Sequence, residues 1–319
     1  MLHEIILLVL GLGAVLIGAE WLVNGSSSIA KKCGLSEFII GMTIVGIGTS
    51  TPEMVVSFMG SFDGNADIAV GNIIGSNIYN AALILGVTAM VAPLVITKTN
   101  IRKDIPISIF ATVLLLFFGF FQQIFGVGYN GLNRIGGAIL LAVFIWYMYY
   151  SFRHDTPEEG GEDEKIKLYP TWLAVVLIVA GLALLIGGGK MFVNSATGLA
   201  KLLGVSDKFI AITVVALGTS LPELATCIVA AAKGRGRLAL GNIIGSNISN
   251  ILLILGGSAL IHPLSFANVD WVDGAFLLLT AVYILCSAAF FVKNKLDRGD
   301  ATVLLLMQAA YMTYLILHL

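Results

Sequence analysis

The chain has 319 residues, of which 58% are hydrophobic and 12% are charged, and its formal net charge is −1. Soluble domains carry about 25% charged residues, and apolar runs of about 20 residues are typical of membrane-spanning helices. The composition therefore excludes an ordinary soluble globule. The 18 basic residues are spread along the chain and form no long basic stretch, so nucleic acid is not expected as a partner.

In chain order, hydropathy predicts ten membrane-spanning segments, and we expect all of them to be helices. A backbone in lipid must satisfy its own hydrogen bonds, and the alternating pattern of barrel strands is absent from the sequence. The sequence thus predicts an all-α polytopic membrane protein surrounded by lipid. The segments are placed near 3–24, 37–61, 67–91, 105–126, 131–152, 170–190, 207–232, 238–261, 271–293 and 301–318.

The basic residues of the loops predict the orientation of the chain in the cell (inner) membrane. Fourteen of the 18 Lys and Arg residues fall in loops on one side and four on the other, so the richer side is expected to face the cytoplasm. Both termini then lie outside, and the acidic linker 153–169 lies in the cytoplasm. Glu20 and Lys190 are predicted to end helices 1 and 6 and to anchor them at the interface.

One pair of motifs occurs twice, and both motifs recur at the same spacing along the chain. Residues 39–53, IIGMTIVGIGTSTPE, return as 209–223, FIAITVVALGTSLPE. In the same way, GNIIGSNIYN at 71–80 returns as GNIIGSNISN at 241–250. Two ungapped matches at one spacing indicate an internal duplication, and they align each position of the first copy with an equivalent position of the second.

The duplication divides the chain into two halves, 1–152 and 170–319, with the repeated motifs at 39–80 and 209–250. Each half holds five predicted spans, and an odd number makes equivalent segments enter the membrane from opposite faces. The sequence therefore predicts two inverted five-helix repeats. Transporters use this arrangement to open a central site to either side of the membrane.

Each half carries a glutamate in the interior of an apolar span, Glu53 and Glu223. A charge at the bilayer centre costs about 2.5–3.5 kcal/mol on insertion scales, so its presence indicates function and not packing. Gly-Thr-Ser precedes each of these glutamates by a few residues, which predicts that helices 2 and 7 are broken there and restart at the proline. A cap common to both restarted helices would come from the side chains of Ser50 and Ser220.

The second motif adds amides and hydroxyls to an apolar helix. Asn72, Ser76 and Asn80 are four residues apart and share one helical face, and the second half repeats them. They are either ion ligands or polar groups that hold helices together, and the sequence leaves both interpretations open. Carbonyls freed at the breaks, hydroxyls and carboxylates form an all-oxygen set, which suits hard cations such as Na⁺ and Ca²⁺.

GTSTPE and GTSLPE, each followed by GNIIGSN, resemble the two α-repeats of the calcium/cation antiporter superfamily, and most closely its short prokaryotic sodium/calcium exchangers. The resemblance covers essentially the whole chain. It implies ten helices in two inverted halves, ion sites between helices 2, 3, 7 and 8, and a sliding motion of helices 1 and 6. It also implies antiport of Ca²⁺ against Na⁺ by alternating access, with no cofactor.

The resemblance further implies which residues hold the ions. Ca²⁺ is expected between Glu53, Glu223 and the carbonyls of Thr49 and Thr219. Hydroxyls and carbonyls are expected to complete the Na⁺ sites, and two amides are expected to face the centre. These groups are Ser50, Ser220, Ser76, Ser246, the carbonyls of Gly46 and Ala216, and the amides of Asn80 and Asn250.

The charge of the pocket bears on the coupled ion. Two carboxylates balance one Ca²⁺ or two Na⁺, whereas three Na⁺ leave an excess of +1. Several superfamily members carry an aspartate at one central amide position, but this chain has Asn80 and Asn250. The lack of an acid at these positions disfavours a dependence on K⁺.

Two other functions are the alternatives to Na⁺/Ca²⁺ exchange. H⁺/Ca²⁺ exchange belongs to the same superfamily, but both Thr-Ser pairs are intact here and favour Na⁺. A cation channel is disfavoured because channels favour oligomeric symmetry over inverted halves. An enzyme is not expected, since no nucleotide-binding loop is present. The sequence indicates no oligomeric state, and a monomer is compatible with it.

Overall fold

The structure is a computed structural model, and it describes residues 2–64, 66–126, 130–155, 167–203, 216–266, 269–290 and 294–317. The described chain is mostly helical. In the first part of the chain the helices are α1 Leu2–Cys33, α2 Glu37–Ile40, α3 Gly46–Thr49, α4 Thr51–Phe62, α5 Ala66–Ile78, α6 Leu85–Val91, α7 Ile105–Gly119, α8 Phe121–Phe125 and α9 Arg134–Arg153. In the second part they are α10 Thr171–Leu202, α11 Ala216–Thr219, α12 Leu221–Ala232, α13 Gly236–Ser249, α14 Gly256–Ile261, α15 Trp271–Phe290 and α16 Arg298–Leu317.

Within the described ranges, four π-helical segments interrupt or begin these helices. They are Gly41–Val45, Tyr79–Ile84, Asn100–Asp104 and Asn250–Leu255. The first joins α2 to α3, the second joins α5 to α6, and the last joins α13 to α14. Each of these runs is therefore one continuous helix with a locally wider turn.

Two very short sheets tie the first half of the chain to the second. β1 (Leu94–Val95) pairs with β4 (Lys295–Leu296), and β2 (Gly131–Leu132) pairs with β3 (Leu264–Ser265), both antiparallel. Each pairing joins a segment that follows a helix of one half to a segment of the other half, which places the two halves side by side.

Seven described helices are long and apolar enough to cross a membrane, and a bent pair adds an eighth candidate. The pair is Glu37–Thr49 and Thr51–Phe62, which meet at an angle of 49°. Of the two other expected spans, 105–126 forms the shorter helices α7 and α8, and 207–232 begins outside the described residues. A count of ten spans stays a prediction.

The first and sixth predicted spans are longer than hydropathy indicates. Helix α1 continues beyond residue 24 to Cys33, and α10 continues beyond residue 190 to Leu202. The hydropathy signal ends where α1 becomes polar, but Ser26 and Ser28 are fully buried there, so the helix persists. The prediction that Glu20 and Lys190 end these helices is therefore wrong, because both lie well inside them.

Helices α1 and α10 pack against each other in antiparallel directions along a seam of glycines. A Cβ atom on Gly18 would lie 2.7 Å from the Gly181 carbonyl oxygen, and one on Gly11 would lie 2.9 Å from that of Gly188. Gly11 and Gly181 are equivalent positions of the repeat, as are Gly18 and Gly188. Equivalent helices thus meet head to tail, which is the arrangement that an inverted repeat predicts.

The two helices that carry the second motif lie at the centre of the molecule. In the apolar 18-residue stretch of each helix, the share of buried residues is 94% for Gly236–Ile261 and 78% for Ile68–Val91. The corresponding share is 22% for Arg298–Leu317. Gly241 and Gly245 let α13 approach the segment from α2 to Val45, since a Cβ on either would overlap the backbone of that segment. These central helices therefore position the candidate site.

Candidate cation-binding site

The first motif places a break at Ser50. Ser50 adopts φ −79° and ψ 10° between α3 and α4, and Ser220 adopts φ −86° and ψ 5° between α11 and α12. Neither serine side chain caps the following helix, so the expectation of a common cap is wrong. The hydroxyl of Ser50 instead donates to Glu223 Oε1 at 2.9 Å, because the carboxylate is a stronger acceptor within reach.

Both glutamates are buried, with only 1% of each exposed. Ser76 Oγ donates to Glu53 Oε1 at 3.3 Å, just as Ser50 donates to Glu223. The two carboxylates lie close enough for a Coulombic interaction, and the Thr219 side chain also lies beside Glu53. The Oε2 atoms of Glu53 and Glu223 have no hydrogen-bond partner among the described residues. Each carboxylate thus keeps one oxygen available to a cation.

Residues of the two halves alternate around these carboxylates. Ser246 Oγ donates to the Gly46 carbonyl oxygen at 3.1 Å, and Thr49 Oγ1 donates to Asn242 Oδ1 at 3.2 Å. Like the contact from Ser50 to Glu223, both hydrogen bonds cross from one half of the chain to the other. The cluster is therefore built jointly by the helix break of the first half and the helices of the second.

Two central amides stand where the helices widen. Asn250 begins the π-helical segment Asn250–Leu255, and Asn80 is the second residue of Tyr79–Ile84. Asn250 Nδ2 donates to Asn77 Oδ1 at 2.9 Å, while the Oδ1 atoms of Asn80 and Asn250 have no partner among the described residues. Such π turns recur at functional sites because they redirect side chains, and no feature of the sequence predicted them here.

Asn72 and Asn242 hold neighbouring helices together. Asn72 Nδ2 donates to Ser57 Oγ at 3.2 Å, and Asn242 Nδ2 lies 3.1 Å from Cys227 Sγ. Ser57 and Cys227 are themselves equivalent positions of the repeat, so the same contact occurs in both halves. Of the two interpretations that the sequence left open, this geometry fits helix packing for these two amides. Asn242 also touches the site through Thr49, a link that the sequence did not indicate.

The structure buries most of the residues that the sequence singled out. Thr49, Ser50, Ser76, Ser220, Ser246, Asn80 and Asn250 are all buried, and Thr219 is half-buried. Ser220 Oγ has no described partner. Ala216 begins α11, but its side chain lies outside the described part of the chain.

The available ligands are oxygen atoms of several kinds. Within the described ranges, no group of three or more His, Cys, Asp or Glu side chains is arranged to hold a metal ion. A cation between Glu53 and Glu223 would therefore need hydroxyl and backbone carbonyl oxygens to complete its shell. This donor set fits Na⁺ and Ca²⁺ and does not fit softer metals that prefer nitrogen or sulfur.

A cavity of about 360 Å³ reaches the site from one side of the molecule. It lies between α4 and α10 and ends at Gly218, Thr219 and Pro222. On the opposite side, α1 packs against α12, and several counterparts of the lining residues, including Ala19, Val23 and Ala225, are buried. Thr49, for example, is fully buried, whereas its counterpart Thr219 is partly exposed. Among the described residues, the cavity therefore approaches the site on the side where α4 and α10 meet.

The sequence model of a family described as "Sodium/calcium exchanger protein" matches residues 3–153 and 173–317. The chain belongs to the sodium/calcium exchanger family. This membership confirms the resemblance indicated by the paired motifs. It makes the chain a multi-pass membrane protein that transports ions, and not an enzyme.

Relatives of this exchanger-family chain match along almost their whole length. A putative antiporter, CaxA, of Alkalimonas amylolytica is 36% identical over 320 residues, with 98% of each chain covered. The sodium/calcium exchanger MaX1 of Methanosarcina acetivorans is 32% identical, with 97% of each chain covered. A solved structure of the sodium-calcium exchanger NCX_Mj superposes with a TM-score of 0.83 at 31% identity, covering 97% of this chain and 98% of that one.

Proposed function

We propose that the protein is a secondary antiporter that moves Ca²⁺ in one direction and Na⁺ in the other. One observation carries this proposal: two fully buried carboxylates from different halves share a cluster of hydroxyls and carbonyls, and each keeps an oxygen without a described partner. A buried charge without compensation is strongly unfavourable, so the cluster requires a cation or a proton. The family and the names of its members support Ca²⁺ and Na⁺ as those cations.

The proposed ion positions follow the repeat. Ca²⁺ lies between Glu53 and Glu223 with the carbonyls of Thr49 and Thr219. Na⁺ ions use the serine hydroxyls on either side, together with the central amides. The remaining ligands are Ser50, Ser76, Ser220, Ser246, Asn80, Asn250 and the carbonyls of Gly46 and Ala216.

The proposed architecture has ten membrane spans in two inverted halves, 1–152 and 170–319, and the second and seventh spans are broken. Two inverted halves of this kind allow alternating access to a central site. The bend at Ser50 and the antiparallel seam of α1 and α10 support this architecture. We place both termini outside the cell and the loop 153–169 in the cytoplasm. In the exchange of conformations, the cavity between α4 and α10 closes and its counterpart between α12 and α1 opens. The site then becomes accessible from the other face of the membrane.

Flux through proteoliposomes tests the proposed function. Purified protein is reconstituted, and ⁴⁵Ca²⁺ uptake is measured with an imposed outward gradient of Na⁺, H⁺ or K⁺ in turn. We expect a Na⁺ gradient to drive uptake against the Ca²⁺ gradient, and K⁺ to have no effect. Uptake driven by H⁺ alone would replace Na⁺ by H⁺ as the coupled ion, and uptake that dissipates gradients without coupling would identify a channel.

Ser50→Ala tests the link between the hydroxyls and Na⁺. The substitution removes a buried donor to Glu223 and a proposed Na⁺ ligand, while both carboxylates remain for Ca²⁺. We expect the Na⁺ concentration for half-maximal exchange to rise about tenfold, since one lost ligand or supporting contact costs about 10–100-fold in metal affinity. Ca²⁺/Ca²⁺ exchange should persist.

Ser61→Ala is the matched control for this variant. Ser61 lies on α4, the helix that follows Ser50, is also buried and has no described hydrogen-bond partner. It should leave the Na⁺ dependence unchanged. Equal shifts in both variants would show that the Ser50 effect comes from helix packing.

A further inference from the structure

An ion pair joins α1 to α12 on the side of the molecule where these two helices pack together. Lys233 Nζ lies 2.7 Å from Glu20 Oε1 and donates to Asn24 Oδ1 at 3.1 Å. Lys233 is the C-cap residue of α12, whereas Glu20 and Asn24 lie on successive turns of α1. This pair thus joins the first half of the chain to the second at the closed access path.

The repeat supplies the same constellation again with its charges exchanged. In the alignment of the two halves, each charged residue of this group corresponds to a residue of opposite charge, and the asparagine corresponds to an asparagine. Glu20, Asn24 and Lys233 correspond to Lys190, Asn194 and Asp63. An amide can serve in both sets, because it accepts from a lysine through its oxygen and donates to an aspartate through its nitrogen.

Asp63 and Lys233 also occupy equivalent backbone positions. Asp63 caps α4 with φ −79° and ψ 0°, and Lys233 caps α12 with φ −87° and ψ 6°. Each is followed by a glycine in the left-handed region, Gly64 at φ 74° and Gly234 at φ 73°. Asp63 therefore projects from the end of its helix in the way that Lys233 does.

The second constellation lies on the open side. Lys190 and Asn194 line the cavity between α10 and α4. Val55 on α4 is 55% exposed there, whereas its counterpart Ala225 on the closed side is 7% exposed. The ion pairs found among the described residues include Lys233 with Glu20 and do not include Lys190 with Asp63.

We infer that Glu20–Lys233 and Lys190–Asp63 are alternating latches, each formed when the access path on its own side is shut. The inference rests on the proposed alternating access. Glu20 and Lys190 lie on the antiparallel helices α1 and α10. Measured along the helix axes, their positions are about ten residues apart, which corresponds to roughly 15 Å. A movement of α1 and α10 that closes the cavity would bring Lys190 to Asp63 and separate Glu20 from Lys233.

The exposure of the first pair suits such a role. The side chains of Lys233 and Glu20 are 33% and 54% exposed, so the pair contributes little to stability and is easily broken. A transporter needs two states of similar free energy, and a strong pair on one side would trap it. Two weak pairs of opposite polarity, one for each state, keep the equilibrium balanced.

Substitutions that reverse the charge of latch residues in the full-length protein test the inference, with the rate of Ca²⁺ transport in proteoliposomes as the measurement. Glu20→Lys and Lys190→Glu should each lower turnover about fivefold, because each places like charges together. The pairs Glu20→Lys/Lys233→Glu and Asp63→Lys/Lys190→Glu should recover turnover to within about twofold of the wild type. Glu20→Lys/Lys190→Glu keeps the same net charge but mismatches both latches, and it should not recover. Equal recovery in this control would overturn the inference.

Cross-linking provides a readout that does not require transport. Cys33 and Cys286 are replaced by serine, the buried Cys227 is kept, and cysteine is introduced at all four latch positions. Under oxidising conditions with Na⁺, with Ca²⁺ or with neither, mass spectrometry should find molecules with one bridge or the other and none with both.

The inference would be contradicted by molecules that carry both bridges. It would also be contradicted if positions 63 and 190 failed to form a bridge under all three conditions. The two failures are distinguishable. If the wild type shows no coupled Ca²⁺ flux, the proposed function is wrong, whereas the cross-linking result still reports whether the two latches exclude each other.

Discussion

Glu53→Gln and Glu223→Gln should each abolish Ca²⁺ transport while the protein remains folded. Glutamine keeps the size of the side chain, and its Oε1 still accepts from Ser76 or Ser50. The second oxygen, however, becomes an NH₂ group that repels a cation. Changes in groups that merely support a metal ligand cost about 10–100-fold in affinity, so loss of one of two charged ligands should cost at least about 100-fold.

The measurement is initial ⁴⁵Ca²⁺ uptake at fixed Na⁺ gradient, with size-exclusion chromatography in detergent as the test of folding. Glu4→Gln is the matched control, because it makes the same substitution in the first turn of α1, outside the cluster. Its uptake should equal that of the wild type. Substantial uptake by both site variants would remove the two glutamates from the ion path.

Gly245→Ala should destabilise the protein and impair transport together. A Cβ atom there would lie within 3.0 Å of three backbone atoms of Met42, so α13 must move away from the segment that it packs against. Overpacking of this kind costs about 1–3 kcal/mol or more. The adjacent Ser246 would move as well, which breaks its 3.1 Å contact with the Gly46 carbonyl and disturbs the break in the first motif.

Gly187→Ala is the matched control for this effect. Gly187 lies in α10, and a Cβ there meets no described atom within 4 Å. Alanine is a better helix former than glycine by about 1 kcal/mol, so this variant should be neutral or slightly stabilising. Thermal unfolding in detergent should show a lower Tm for Gly245→Ala, by roughly 5 °C, and no decrease for Gly187→Ala. A decrease of equal size in both variants would contradict the role of close backbone approach.

The sequence predicted the family, the helical fold and the assembly of the site from two distant segments. These features follow from strong, local signals: long apolar runs, and an ungapped repeat that carries Glu53 and Glu223 at equivalent places. A charge inside an apolar helix is costly enough that its position alone indicates function.

Other features depend on packing that composition does not record. Hydropathy predicted that the first helix ends near residue 24, but the helix continues to Cys33 through a buried stretch that contains serines. Glu20 therefore lies well inside the helix, where it contacts Lys233. The hydroxyl of Ser50 faces a carboxylate of the other half and leaves its own helix uncapped. Such a partner lies 173 residues away, and only the folded arrangement reveals it.

The π-helical segments are the other feature that the sequence did not indicate. Asn250 is the first residue of one such segment and Asn80 the second of another, but the apolar residues that follow them are compatible with an ordinary α-helix. The wider turn is therefore not predictable from these residues alone. Its coincidence with the second motif in both halves still points to the same central site.

Long-wavelength anomalous diffraction from crystals grown with Ca²⁺ tests most directly whether the ion lies between the two carboxylates. The proposed ion position predicts one strong peak between the carboxylates of Glu53 and Glu223, with oxygen ligands from both halves at about 2.3–2.6 Å. A Ca²⁺ peak elsewhere in the protein, or carboxylates that face lipid on separate helices, would contradict it.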